Sequence, residues 1–274
     1  MQNVLMCPPT YYTVRDVKNP HMDPNKAIDR ERALSQWNAL RRAFEDAGCR
    51  TYTVDPVEDL EDMVYAANQV FVGHVRGHPP FVIPSRMRFP SREREVPYYV
   101  NWFRERGYAV LTLPLENEFL EGHGDLLWHE NRPLVWAGYG FRSTRAGVER
   151  FAQLMQRFDV EVRALELVDP VFYHLDTCLM PLNAEAAVIY SGAFSPESLQ
   201  ALRRAWPRLY EMPRDDAMHF VCNGVAVNGR VIGSHLSKAL SRALDAENLT
   251  FVNIDLSEFE KGGGSVFCMK TFFE

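Results

Sequence analysis

The chain has 274 residues, of which 46% are hydrophobic and 24% charged, with a formal charge of −6 and a pI near 5.8. That composition can bury a generous core, which excludes disorder as the main state. The acidic balance argues against a nucleic-acid partner, and no apolar run approaches the roughly 18 residues of a membrane span. The opening MQNVLMCPPT lacks the charged region and long apolar stretch of a secretion signal. Five cysteines (Cys7, Cys49, Cys178, Cys222 and Cys268) are an odd number without a Cys-x-x-Cys pair. They fit neither a disulfide framework nor a zinc ribbon, so a reducing cytoplasm is the expected location.

Short β-like runs alternate with amphipathic helical runs from end to end. NVLM at Asn3 predicts a strand. Arg32–Ala47 predicts a helix, with Leu34, Trp37, Leu40 and Phe44 at spacings of three and four and Gly48 as its stop. Strands are predicted at TYTV from Thr51, FVIP from Phe81 and AVLTLP from Ala109, with a helix over 94–106. PLVWAG from Pro133 and EVRALEL from Glu161 flank a helix over 144–158. AAVIYS from Ala186 and RLYEMP from Arg208 flank another over Pro196–Ala205. GVAVNGRVIG from Gly224 carries an Asn-Gly pair, a hairpin signal. A helix over 236–246, with Ser234 as N-cap, leads to LTFVNID from Leu249 and SVFCMKTFF from Ser265. The strand–strand–helix–strand cycle recurs about every 45 to 60 residues. With no linker or low-complexity tract to divide it, residues 1–274 read as a single α/β domain built from a repeated unit.

Three segments place polar groups inside apolar runs. In FLEGHGDLLWH, Glu121 and Asp125 bracket Gly122, His123 and Gly124, which suggests a turn where backbone comes close to a ligand. In FYHLDTCLMPLN, His174 and Asp176 alternate along a predicted strand, and period two puts both on one face. In EKGGGSVFCMKTFF, Gly262, Gly263 and Gly264 precede a predicted strand carrying Cys268. A strand rather than a helix follows those glycines, which argues against a phosphate loop. Taken singly, each segment also reads as core packing or a structural pair. His74 and His78 fall in a predicted loop, and His123, His129 and His174 lack a ligand spacing, so no metal is expected.

In their order and spacing, FLEGHGD, YHLDTCL and GGGSVFCM resemble the guanidino-group-modifying cysteine enzymes of the pentein fold. That superfamily includes arginine deiminases, dimethylarginine dimethylaminohydrolases, glycine amidinotransferases and arginine dihydrolases. LMCPPTYYTV, EDMVYAANQVFV, RFPSREREVPYYVNWF, LVWAGYGFRST and VDPVFYHLDTCLMPL extend the resemblance over nearly the whole chain and look most like the arginine dihydrolase branch. The fold it implies is a five-bladed α/β propeller of repeated ββαβ units.

The resemblance also implies roles. A guanidinium carbon is a poor electrophile, and a thiolate suits it, with Cys268 as the nucleophile. His174 is the implied general acid and base. Glu121 and Asp176 are the carboxylates expected to hold guanidinium N–H groups. Asp125 either joins them or supports the turn. Arg92 and Arg142 are expected at the substrate α-carboxylate. Asn68 stands where arginine deiminases carry Asp, and Asn19 is a second amide of the dihydrolase type. An amide both donates and accepts, so Asn68 is expected to tolerate a neutral ureido group and allow a second hydrolysis.

His123 stands where a small residue is common and is expected to narrow the pocket. The loop GHVRGHPP is expected to form part of a lid. The implied activity is hydrolysis of arginine to ornithine, carbon dioxide and ammonia. Dimethylarginine hydrolysis, deimination, amidino transfer and a catalytically silent binding role are the alternatives. No cofactor is implied, the partner is a small guanidino substrate, and the sequence leaves homo-oligomerisation open.

Overall fold

Fifteen short strands, none longer than six residues, are gathered into five separate three-stranded sheets. The computed structural model describes residues 1–274. The strands are β1 (Asn3–Met6), β2 (Arg50–Thr53), β3 (Val70–Gly73), β4 (Phe81–Pro84) and β5 (Ala109–Val110). Then come β6 (Leu126–Trp128), β7 (Leu134–Tyr139), β8 (Glu161–Glu166), β9 (Leu179–Pro181) and β10 (Ala186–Ile189). The last are β11 (Arg208–Glu211), β12 (Val225–Val227), β13 (Arg230–Gly233), β14 (Thr250–Asn253) and β15 (Thr271–Phe273).

Every sheet has one construction. A middle strand pairs antiparallel with one neighbour and parallel with the other: β4 with β3 and β5, β7 with β6 and β8, β10 with β9 and β11, β13 with β12 and β14. A parallel neighbour needs a crossover. The helices Arg30–Asp46, Val96–Arg104, Arg145–Met155, Pro196–Ala205 and Lys238–Ala246 supply one for each sheet. In the remaining sheet β1 pairs parallel with β2 and antiparallel with β15, so the first and last strands share a sheet. This is the expected ββαβ repeat, made five times.

The alternation within the middle strands explains the ring. Val4 and Met6 pack into a core shared with β12 and β13, while Leu5 packs into one shared with β3 and β4. Phe81 and Ile83 face β6 and β7; Trp136 faces β9 and β10; Val188 faces β13. Adjacent side chains of a strand point to opposite faces, so each sheet is apolar on both sides and each inter-sheet layer is a core. Five such layers close on themselves, with β15 beside β3 and β9 beside β12 around the centre.

Local differences from expectation have local causes. Strands β3 and β6 were not anticipated, because VFVG and LLW are short and flank polar turns. AVLTLP contributes only Ala109–Val110, and SVFCMKTFF only Thr271–Phe273. Ser237, rather than Ser234, caps the last long helix by accepting from the Leu240 amide. Leu34 lies on the outer face of the first helix, 49% exposed, while Ala33, Trp37, Leu40 and Phe44 form the buried stripe. The Asn228-Gly229 turn has both residues at positive φ, +47° and +77°, as a two-residue hairpin of matching twist demands. Gly48 ends the first helix at φ +82°.

Closure depends on the last strand. Phe273 packs edge-on or tilted against Tyr52, Trp102 and Phe103, with ring centroids 5.2 to 5.6 Å away. Phe273→Ala is expected to destabilise the fold by about 3 kcal/mol, read from the urea midpoint. An unchanged midpoint would mean that β15 does not hold the ring together.

Candidate active site

The polar residues of interest share one structural address. Asn68, Asp125, Asp176, Asn223 and Cys268 stand one to three residues before β3, β6, β9, β12 and β15, the first strand of each sheet. Each blade therefore delivers one pre-strand turn to the same end of the ring. His174 and Asp176 do not alternate along a strand as expected. His174 is extended, and Leu175–Thr177 form a single 3-10 turn that sets Asp176 beside Cys268. Cys268 likewise sits on the turn ahead of β15 and not within it. The three glycines before it serve packing. A Cβ on Gly262 would lie 2.2 Å from the Tyr65 hydroxyl, one on Gly263 2.4 Å from Asn19 Oδ1, and one on Gly264 2.6 Å from the Tyr65 ring.

Cys268 is 3% exposed, and all five thiols are free and buried. Its Sγ donates to Asp176 Oδ2 at 3.1 Å and lies 3.3 Å from Asn223 Nδ2. Burial and the neighbouring Asp176 push the thiol well above its ordinary range. Burial also raises Asp176 to about 7, against the pull of the Cys268 thiol and Lys270. The second oxygen, Oδ1, is buried without a hydrogen-bond partner. In this state the thiol donates to one carboxylate oxygen and the other has no donor.

Across the site, His174 Nε2 meets Glu121 Oε2 at 2.8 Å. The same oxygen accepts from Arg142 at 2.8 Å, and Oε1 accepts from the Arg88 backbone amide, also at 2.8 Å. Burial would raise Glu121, but Arg142 and His174 overcome it and hold the carboxyl well below the usual range. Glu121 is thus an anion that orients the imidazole, with its acceptors engaged inside the protein. Arg142 is clamped between the Phe89 and Tyr173 rings, 4.8 Å from each centroid, and also donates to the Lys18 carbonyl at 3.1 Å.

The other expected residues divide clearly. Asp125 accepts from the Ser143 amide and hydroxyl and from the Leu175 amide, which ties the glycine turn to the His174 segment. Asn68 Oδ1 accepts from Arg92 at 3.1 Å. An arginine can only donate, so the oxygen must face it and Nδ2 must face away. That Nδ2 is buried and unpartnered. A Cβ on Gly124 would lie 2.2 Å from it and 3.3 Å from the His174 ring, which places the amide beside the imidazole. Arg92 is engaged inside the fold by Glu95, Asn68 and the carbonyls of Asp62 and Tyr65. Asn19 donates to the Gly262 carbonyl at 3.1 Å and packs on the glycine turn.

Two expectations are corrected. The His123 ring bonds the Leu126 carbonyl and the Val72 amide, so both nitrogens face the β3–β6 side rather than narrow the pocket. Burial lowers its pKa to about 3. Residues 74–80 join β3 to β4 at the end of the hairpin opposite Asn68 and Ser85, too far round the strand pair to serve as a lid. Two residues were missed. Arg88, passed over in favour of Arg92, holds Glu121 through its backbone while its side chain is exposed over the Phe119 ring at 5.7 Å. Asn223 touches Cys268 Sγ. Its position two residues before β12 repeats that of Asn68 before β3, a signal that only the blade boundaries make visible.

A family model described as N,N dimethylarginine dimethylhydrolase, eukaryotic, matches residues 11–272. Over 97% of its length the chain is 37% identical to the bifunctional arginine dihydrolase/ornithine cyclodeaminase AgrE of Nostoc sp., and it spans 37% of that longer protein. It is 35% identical over 96% of its length to the N(G),N(G)-dimethylarginine dimethylaminohydrolase of Mycobacterium tuberculosis, covering 83% of it. Among solved structures, the substrate-bound N-terminal domain of ArgZ, a cyanobacterial arginine dihydrolase, superposes with a TM-score of 0.91 at 33% identity, covering 99% of this chain and 98% of that one. A dimethylarginine dimethylaminohydrolase adduct shares the fold, with a TM-score of 0.78 at 19% identity. The chain belongs to the dimethylarginine dimethylaminohydrolase family of guanidino-modifying pentein hydrolases.

Proposed function

We propose that this protein is an arginine dihydrolase that removes both terminal nitrogens of the guanidino group through covalent intermediates on Cys268. The observation that carries this reading is one enclosed site holding a thiol, an orphan carboxylate oxygen on Asp176, an imidazole oriented by an anion, and an unpartnered amide donor on Asn68. Asp176 Oδ1 accepts a guanidinium N–H, and the incoming cation favours loss of the thiol proton to solvent. Sγ attacks the guanidino carbon. The carbon–nitrogen bond breaks, ammonia leaves with a proton from His174, and a thiouronium remains. His174 then takes a proton from water as the oxygen adds to that carbon, and the thiolate departs to leave citrulline.

A second cycle uses the same groups on a neutral substrate. Asn68 Nδ2 donates to the ureido oxygen, a contact that a carboxylate at this position could not make. Sγ adds to the ureido carbon, ammonia departs, and water releases the carbamate of ornithine, which loses carbon dioxide. The sum is arginine plus two waters to ornithine, two ammonia and carbon dioxide. For the α-carboxylate we assign Arg88, whose guanidinium has no ion-pair partner, together with Arg142, where the two contacts formed leave further N–H donors. Arg92 instead orients Asn68. A second reading, hydrolysis of dimethylarginine, is supported by the Mycobacterium tuberculosis relative and uses the same thiol and imidazole.

Mass spectrometry of products from arginine decides between these readings. Ornithine without accumulating citrulline is expected, and Cys268→Ala should lower turnover by at least about 10³-fold. Citrulline alone would make the protein a deiminase, and dimethylamine from dimethylarginine with arginine untouched would favour the second reading. Asn68→Asp is expected to shift the products toward citrulline by about tenfold or more. An unchanged ornithine-to-citrulline ratio would remove Asn68 from the second hydrolysis.

The acid side of the pH profile follows from Asp176. Held at about 7 by burial, it is neutral in the free enzyme below that pH and anionic above it. A cationic guanidinium needs the anion, so kcat/KM for arginine should rise with pH through about 7. Asp176→Asn should abolish the rise along with at least about 10²-fold of the activity. A profile flat from pH 6 to 8 in the unmodified protein would contradict the assignment.

A further inference from the structure

Asn223 lies at 0% exposure on the 3-10 turn Val221–Asn223 ahead of β12. Its carboxamide is oriented by groups that can only donate. Oδ1 accepts the Ser265 amide at 3.0 Å and the Cys268 amide at 3.5 Å. The NH2 edge is therefore forced to the other side. There, one N–H reaches the Asp176 carbonyl at 2.8 Å and Nδ2 lies 3.3 Å from Cys268 Sγ. The Asn223 carbonyl also accepts the Phe267 amide at 2.9 Å, so the residue fixes the turn before and after the cysteine.

We propose that Asn223 is a catalytic residue, the preorganised hydrogen-bond donor that stabilises the Cys268 thiolate during attack and departure. A thiol is a weak acceptor and gains little from an N–H at this distance, whereas a thiolate is a charged acceptor and gains much more. Asn223 therefore stabilises the state in which sulfur is anionic. Its donor is already in place, with no reorientation needed as charge develops. The charged groups facing the sulfur make this donor necessary. Asp176 opposes the thiolate, and the Lys270 ammonium attracts it from outside hydrogen-bonding range, its Nζ over the Phe267 ring at 3.2 Å and the Phe272 ring at 4.6 Å. Tyr173, the remaining ionisable neighbour, is neutral, since burial raises its hydroxyl well above the ordinary range. Asn223 thus supplies the one side-chain donor in hydrogen-bonding range of the sulfur.

The inference rests on the proposed function only in naming Cys268 as the nucleophile, and its test needs no turnover. The rate of Cys268 carboxamidomethylation by iodoacetamide is followed by intact-mass measurement from pH 6 to 10, with Cys268→Ala as the blank. Asn223→Asp keeps an acceptor for the Ser265 and Cys268 amides and removes the donor. Its alkylation rate should fall by at least about tenfold across that range, the loss of thiolate that a midpoint raised by about one pH unit produces below the midpoint. On the substrate that the unmodified protein turns over, kcat should fall about 10²-fold while KM moves less than about threefold.

Asn223→Ala, which has no side-chain donor, should slow alkylation likewise and decides the matter if the Asp variant does not fold by circular dichroism. A folded variant whose alkylation profile overlays that of the unmodified protein would overturn the assignment. Absence of arginine turnover in the unmodified protein would overturn the dihydrolase reading and leave the alkylation result intact.

Discussion

Burial of carboxylates at the mouth of the ring is the constraint around which the site is built. Glu121, Asp125 and Asp176 are each at most 1% exposed. A lone buried carboxylate is costly, so each must find donors, stay protonated, or meet a cation. The protein gives the three different answers. Glu121 has Arg142, His174 and a backbone amide, and it remains an anion. Asp125 has the Ser143 amide and hydroxyl and the Leu175 amide, and burial still lifts it to about 6. Asp176 receives a thiol on one oxygen and nothing on the other. The unsatisfied carboxylate is the one beside Cys268, the place the proposed mechanism gives to a guanidinium.

The ring supplies these environments cheaply because a blade's first strand must be entered by a turn. Turn backbone has free amides, and several of the side-chain contacts above end on them: Arg88 and Leu175 on carboxylates, Ser265 and Cys268 on Asn223. A backbone N–H donates and never accepts, so it orients whatever side chain it meets. Asn68 and Asn223 are both aligned by groups that can only donate, Arg92 in one case and two amides in the other. Each therefore presents an N–H into the site. The two carboxamides sit in equivalent places in two blades and do equivalent physical work on different partners, one beside the imidazole and one beside the sulfur.

Close packing explains why the glycines are where they are. The Gly262–Gly264 run, which resembles a phosphate loop in composition, lets the chain pass within contact of the Tyr65 ring and Asn19. Tyr12 and Tyr65 share a 2.9 Å hydrogen bond at this spot and both reach carbonyls near Phe259. The segment from Lys18 to His21 crosses the same region, with its carbonyl on Arg142, Asn19 on the Gly262 carbonyl and the His21 ring on the Val171 carbonyl. The Cys268 turn, glycine run and crossing segment are thus one packed unit.

Residue type and local periodicity determined a good deal. The short continuous apolar runs NVLM, FVIP and AAVI, with an amphipathic run after each, are enough to predict the repeated α/β unit, because a bounded apolar run and a 3.6 period are local properties. Cys268, His174, Glu121 and Asp176 stood out as reactive groups set in apolar runs, while the roles expected of them came from the family resemblance of the three segments taken together. Local reading failed where partners are remote. The Cys268–Asp176 contact spans 92 residues, Asn223–Cys268 45 and Arg142–Lys18 124. Whether Glu121 would face substrate or imidazole, whether Arg88 or Arg92 would be free, and that Asn223 would meet the sulfur were decided by ring closure. A hydrogen-bond partner is chosen by which turns converge in space, and convergence of five blades is not written in any one of them.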